Sequence, residues 1–330
     1  MRLHRIRLSQ HFLLSAKART LSLVQIARMS DDEARSTFRA VRFADSGGRP
    51  TCPHCRSDAV LEFKARPLFK CKVCERQFTI TSGTIFASRK LSFRDILTAI
   101  ALFVNGASGV SALRLGRELN CSYKTAFVLL HKLREAMSSM RVSRPLTGVV
   151  EIDGVWVGGH YKKANVKAER KDRRIAHPKR LSVVTMRERR PGGRTLSVVV
   201  QQETEAVEAI IRYVDPSASV RTDEGSAWAA LHMYFDDHKT INHSIRYSEP
   251  GGIHTNWAES YNSRVRRAER GVHHRIWGRY LLAYAEEMGW REDFRRVDNG
   301  RQFSQLLMAA ANLPVSRAWA GYWQRHLAAA

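Results

Sequence analysis

Acidic residues are scarce in this chain. Asp and Glu total 31 against 55 Lys and Arg, a formal net charge of +24 over 330 residues. That imbalance disfavours an acidic-surface role and points to a polyanionic partner, most often nucleic acid. Long apolar runs are also missing: no stretch approaches the roughly 18 consecutive apolar residues of a membrane-spanning helix. No basic amphipathic helix or lipid signal marks a membrane-surface protein. The N-terminus, Met1 to Leu8, is basic, and the apolar patch that follows, Phe12 to Leu14, is too short for a signal peptide. Residues 1–29 therefore read as a basic arm. Cysteine is sparse at five. Four of the five fall in two Cys-x-x-Cys pairs and Cys121 is left over, which excludes a disulfide framework and fits metal binding in a reducing cytoplasm.

The length implies two or more domains with a sizeable core. Ser30 to Phe43 reads as a short helix with Ser30 as N-cap and Glu33 closing a capping box; Ser46-Gly-Gly-Arg-Pro50 ends it. Then come Cys52-Pro-His-Cys55 and, fifteen residues later, Cys71-Lys-Val-Cys74. Four thiolates on two tight turns suit a tetrahedral structural zinc ion, with sulfurs at about 2.3 Å and no open position for catalysis. His54, between two ligands, is expected to face solvent. The segment between the pairs alternates apolar and basic residues, as a β-ribbon with one charged face would, and Gln77 to Phe86 continues in β-prone residues. Residues 30–90 form this zinc-ribbon module with its preceding helix.

Residues 91–142 show helical periodicity in three pieces: Ser92–Val104, Ser111–Leu119, and Tyr123–Met140 capped by Ser122. A tight turn at Asn120–Ser122 joins the last two. Two readings stand side by side: plain helical packing, or a helix-turn-helix that offers Lys124, Thr125 and Lys132 to DNA. Cys121 in the turn reads as a packing residue.

Gly148 to Gly159 reads as a buried strand carrying Glu151 and Asp153, which period-2 geometry turns to the same side. An acid inside an apolar run is costly unless it is paired, hydrogen-bonded or holding a metal. Next is a basic stretch from Tyr161 to Arg180 that includes Lys162 and Lys163, either a solvated loop or a phosphate contact. Leu181–Arg187 and Thr195–Val200 make a hairpin about Pro191-Gly-Gly193. An amphipathic helix follows at Glu203–Val214, then a strand ending at Asp223. A helix from about Asn256 to Arg270 carries Glu259, with Asn256 on the same face and Arg264, Arg266, Arg267 and Arg270 further along. Each acid alone could be structural. Together, on a strand, a strand end and a helix, three carboxylates can hold two divalent ions about 3.5–4 Å apart, one for the attacking and one for the leaving oxygen of a phosphodiester. Hard oxygen ligands favour magnesium or manganese, and the arginines would offset backbone charge. The region from Trp277 onward is helical in pattern, and its aromatics read as core.

At these residues the chain resembles the DDE transposases of bacterial insertion sequences, in the ISXO2-like group with an N-terminal zinc ribbon and an RNase H-like catalytic domain. The resemblance covers roughly Ser30 to Arg325. It is carried by the two Cys pairs, Thr81-Ser-Gly-Thr-Ile-Phe86, Tyr123-Lys-Thr-Ala-Phe127 with His131-Lys-Leu-Arg-Glu-Ala136, Val150-Glu-Ile-Asp-Gly154 with Gly158-Gly159, Thr222-Asp-Glu224 and Thr255-Asn-Trp-Ala-Glu259. It implies an α+β, α/β multidomain fold, with a mixed sheet in residues 143–290 and a C-terminal helical extension in 291–330. It implies Asp153, Asp223 and Glu259 as catalytic acids, with Asn256 as the alternative third position and Arg266 as a basic residue near the DNA. The expected activity is metal-dependent strand cleavage and strand transfer on terminal inverted repeats, by a homodimer in the DNA complex. A nuclease on the same fold, or a DNA-binding regulator with a vestigial acid site, are the rival readings.

Overall fold

The helix starts are fixed by local chemistry. Ser30 accepts the Glu33 N–H while Glu33 accepts the Ser30 N–H, so helix α2 (Asp31–Arg42) begins with the expected capping box. Ser92 and Asp95 close a similar box on α3 (Phe93–Asn105), and Ser111 and Ser122 cap α4 (Ala112–Glu118) and α5 (Tyr123–Ser139). A shorter helix, α1 (Leu23–Ala27), precedes them. The structure is a computed structural model that describes residues 11–158, 165–169, 179–242, 245, 248 and 251–328. No helix among the described residues is long and apolar enough to cross a membrane.

The chain divides into two compact units, Met1–Met140 with Arg295–Ala330, and Arg141–Phe294. The first holds a three-stranded antiparallel sheet, β1 (Val60–Glu62), β2 (Phe69–Cys71) and β3 (Gln77–Phe78). Beyond Phe78 the β-prone run does not stay extended. It turns, with Thr84 Oγ1 donating to the Thr81 carbonyl at 2.8 Å, and buries Ile80, Ile85 and Phe86. Within the helices, Leu97, Ile100 and Phe103 of α3 are fully buried, each contributing roughly 1.5–3 kcal/mol of apolar transfer. Residues 11–29 are also tied down where they meet this unit: Ile26 is fully buried, and Asn299 Oδ1 accepts the N–H groups of Thr20 and Leu21 at 2.9 and 3.0 Å.

The second unit is a mixed five-stranded sheet in the order β6-β5-β4-β7-β8, comprising β4 (Val149–Gly158), β5 (Arg180–Glu188), β6 (Thr195–Val200), β7 (Ser219–Asp223) and β8 (His238–Ile241). β4, β5 and β6 pair antiparallel, and β7 joins β4 in parallel, as does β8 to β7. Both parallel strands need crossovers. The first passes through a 3-10 turn at Glu203–Ala206 and α6 (Val207–Tyr213), and the second through the 3-10 segment Ser226–Met233. Period-2 geometry splits β4 between two cores. Val150 and Ile152 pack with Val184, Met186, Ile210 and Trp228. Val155 and Val157 pack with Tyr261 and Val265 of α7 (Asn256–Arg267) and with Leu281 and Met288 of α8 (Gly278–Asp293). This mixed sheet, behind a four-cysteine ribbon, is the expected fold class, consistent with an RNase H-like domain. The chain then completes the first unit with α9 (Asn299–Asn312) and α10 (Tyr322–Ala328).

Candidate active site and metal centre

The four sulfurs of Cys52, Cys55, Cys71 and Cys74 lie within 4.8 Å of one another. Among the described residues they are the one set of three or more His, Cys, Asp or Glu ligands so tightly drawn together. Their all-thiolate, closed geometry suits a structural zinc ion. The Cys74 N–H donates to the Cys71 sulfur at 3.5 Å, and with the Val73 N–H it pulls the Cys71 thiol down to about 6, toward the thiolate a metal requires. His54 is exposed, as expected, and meets Arg76 at 3.3 Å.

In the second unit, β4 and β7 run parallel with Val149, Val150 and Glu151 opposite Ser219, Val220 and Arg221. The same offset carried forward two residues sets Asp153 level with Asp223. Glu259 enters from α7. Burial first, then the charges of Asp223 and Glu259, raise the Asp153 carboxyl to about 7, against hydrogen bonds that favour its ionised form. Those bonds come from the Gly154 N–H to Oδ1 at 2.7 Å and from Asn262 Nδ2 to Oδ2 at 2.8 Å.

Glu151 and Asp153 do share a side of β4, since both meet α7. Glu151 is fully buried. Its Oε2 accepts the N–H groups of Trp257 and Ala258 at 2.7 and 3.0 Å. Its Oε1 takes Arg189 Nε at 2.6 Å and lies 3.3 Å from His254 Nδ1. Thr255, the residue at the helix start, makes no side-chain cap. Glu151 thus does for α7 what a capping side chain does locally, satisfying orphan N–H groups and placing negative charge at the positive end of the helix. Arg189 continues the clamp by donating to the carbonyls of Gly252 and His254.

Sequence reasoning missed two residues near these acids, Asn262 and Glu203. Asn262 is buried against Asp153, and its Oδ1 has no hydrogen-bond partner among the described residues. Asn256, the alternative third position, is exposed at the first turn of α7. Its spacing from Glu259 gave it a shared helical face, but Asn262 has the same spacing on the other side of Glu259. Glu203 is a fourth acid. It accepts Ser182 Oγ at 2.9 Å, and its carboxyl is raised by burial and by Asp223. A Cβ on Gly154 would meet the Glu203 carboxylate, so a larger residue there would push that side chain from its present position.

The basic candidates separate by environment. Arg264 is committed to Glu292, with contacts of 2.6 Å from both Nε and Nη2. Glu292 also holds the buried Arg187 at 2.9 Å. Arg266, Arg267 and Arg270 are exposed, Arg270 in a π-helical turn (Ala268–His273) where the regular helix has ended. Lys124 is exposed and Thr125 and Lys132 are half-buried on α5. Lys162 and Lys163 lie outside the described residues.

Residues 145–293 match the ISXO2-like transposase domain, and residues 29–77 match the transposase zinc-ribbon domain. The chain thus carries an ISXO2-like transposase domain and a transposase zinc-ribbon domain. An uncharacterized protein in transposable element ISH50 of Halobacterium salinarum is 26% identical over 274 residues, spanning 74% of this chain and 86% of that protein. The transposase domain covers every strand of the five-stranded sheet together with α7, and the zinc-ribbon domain covers all four metal-ligating cysteines. An insertion-sequence transposase is what these two domains indicate.

The three acids are not drawn together as tightly as the four sulfurs, but their donor chemistry is that of a hard-cation site. Asp153, Asp223 and Glu259 offer hard carboxylate oxygens, and Asn262 adds a buried carbonyl oxygen without a partner. Oxygen donors of this kind suit magnesium or manganese rather than zinc.

Proposed function

We propose that this transposase binds the terminal inverted repeats of its element, cleaves a DNA strand there and joins the freed 3′ hydroxyl to target DNA. Asp153, Asp223 and Glu259 would hold divalent magnesium or manganese, whose charge, when bound, assists both the attacking and the leaving oxygen of the phosphodiester. Asn262 and the Gly154 N–H fix the two oxygens of Asp153, and Glu151 fixes the helix that carries Glu259. Exposed Arg266, Arg267 and Arg270 meet phosphates, as Lys162 and Lys163 would. The zinc ribbon and the α4–α5 pair would bind the repeat, and two copies would act together because two DNA ends must meet. The observation that carries the reading is the register of two adjacent parallel strands, which sets Asp153 level with Asp223 beside the docked helix that carries Glu259, in a chain of +24.

The test is purified protein and magnesium with DNA bearing the ends that flank its gene, run beside Asp153→Asn, Asp223→Asn and Glu259→Gln. Cleavage and joining by the wild type, lost in all three variants with DNA binding kept, is the expected result. Activity persisting in Glu259→Gln would shift the third role to Asn262 or Asn256. Cleavage without joining would make the protein a nuclease. Specific binding without cleavage by the wild type would make it a regulator.

A further inference from the structure

The first unit contains a groove of about 680 Å³ that the acid site does not explain. Helix α5 forms one wall, with Lys124 and Lys132, and another is formed by Trp319, before α10, and by Tyr322 and Trp323 in its first turn. Arg89 and Lys90 complete the lining. The C-terminal aromatics were expected to be core, yet these three rings are only half-buried. They cluster around Phe127 of α5, with Trp319 tilted against Tyr322 at 5.0 Å and Tyr322 edge-to-face with Trp323 at 5.3 Å between ring centres. The cluster is also held in place by α5. Trp319 stacks on the buried His131 at 4.1 Å, and Trp323 Nε1 donates to the Lys124 carbonyl at 3.3 Å.

Every charged side chain lining the groove is a cation. Lys124 Nζ stands 5.4 Å from the Trp323 ring centre. Fixed aromatic faces beside cations, with no carboxylate among them, are complementary to a stacked base and its phosphate. A duplex keeps its base faces inside the stack, so this chemistry selects an unstacked strand. Two of the lysines assigned from sequence to a recognition helix, Lys124 and Lys132, border this groove.

We propose that the groove seats single-stranded DNA, with bases against Trp319, Tyr322 and Trp323 and phosphates near Arg89, Lys90, Lys124 and Lys132. The proposal rests on the DNA-directed reading above and adds a second kind of DNA contact to it.

The experiment uses the full zinc-loaded chain and two fluorescent probes, a short oligothymidylate and a duplex element end, with anisotropy as readout. Trp323→Ala and Tyr322→Ala should each weaken oligothymidylate binding roughly five- to hundredfold while duplex affinity stays within about twofold of wild type. Lys90→Gln should lower the salt slope of oligothymidylate binding by about 0.7. An oligomer carrying 5-iododeoxyuridine should photocrosslink to Trp319, Tyr322 or Trp323. Unchanged oligothymidylate affinity in both aromatic variants overturns the groove, as do crosslinks confined to other residues. Loss of duplex and oligomer binding together in a variant with native circular dichroism also overturns it, because the groove would then be no separate seat. A wild type that binds duplex but no oligomer overturns the groove alone. A wild type that binds neither overturns the DNA-directed reading itself.

Discussion

Glu151 Oε2 accepts the backbone N–H of Trp257 at 2.7 Å, joining a strand and a helix that are 106 residues apart in sequence. The bond fixes the depth at which α7 sits on the sheet, and hence where Glu259 stands relative to Asp153. In Glu151→Gln one acceptor oxygen becomes an N–H donor facing helix N–H groups, and Arg189 loses its buried counter-charge. Breaking such a pair costs about 3–5 kcal/mol. Urea unfolding should show a loss of that order, and strand cleavage should fall about tenfold or more. Unchanged stability would show that α7 is held by its apolar face alone.

Asp153 links stability to pH and, through the proposed ion, to magnesium. Its ordinary value is 3.8, and burial with its acidic neighbours raises it to about 7 in the folded chain. The native state therefore holds this proton more tightly than the unfolded state does. Its contribution is fully present below about pH 4 and is lost as pH rises through about 7. Magnesium should replace what the proton supplied, raising Tm at pH 8 and changing it little at pH 5. Asp153→Asn should remove the difference. Equal magnesium effects at both pH values in the wild type would place the ion elsewhere.

Glu188 behaves in the opposite sense. Burial alone would raise it, but Arg194 and Arg190, with the N–H groups of Arg194 and Thr147, hold it down to about 2 from 4.5. Its stabilisation is present above pH 4.5 and is lost as pH falls through about 2. Glu188→Gln should cost on the order of 3 kcal/mol at pH 7, and the gap from wild type should narrow steadily toward pH 3. Urea titrations at the two pH values measure it.

The ribbon should depend on its metal. Its short sheet has few buried apolar side chains, Phe69 and Phe78 among them, so metal-binding energy becomes folding energy. Elemental analysis should find about one zinc per chain. Cys71→Ser should lose that zinc and the ribbon's protection from proteolysis, whereas Cys121→Ser should keep both. Zinc retained in Cys71→Ser would remove Cys71 from the ligand set.

What the sequence determined by itself were the features written in short range. Two Cys-x-x-Cys turns specify a four-sulfur site because each turn brings its own pair together. Ser30 and Glu33 specify a helix start for the same reason, and Pro191-Gly-Gly193 specifies a hairpin. The period-2 run around Asp153 announces a buried strand with two acids on one side. What only the tertiary structure decided is which partner each face meets. Helical spacing offered Asn256 as the companion of Glu259, but docking α7 on β4 buried Asn262 against Asp153 instead. The same docking turned Arg264 inward to Glu292 while Arg266 and Arg267 stayed exposed. Glu203 became a neighbour of the acids because the crossover after β6 begins beside Gly154. The aromatics near the C-terminus were legible as apolar but not as the half-buried wall of a groove, because their placement depends on packing against α5, nearly 200 residues earlier. Periodicity reports that a residue has a buried side. Only the assembled sheet and helices define what lies across from it.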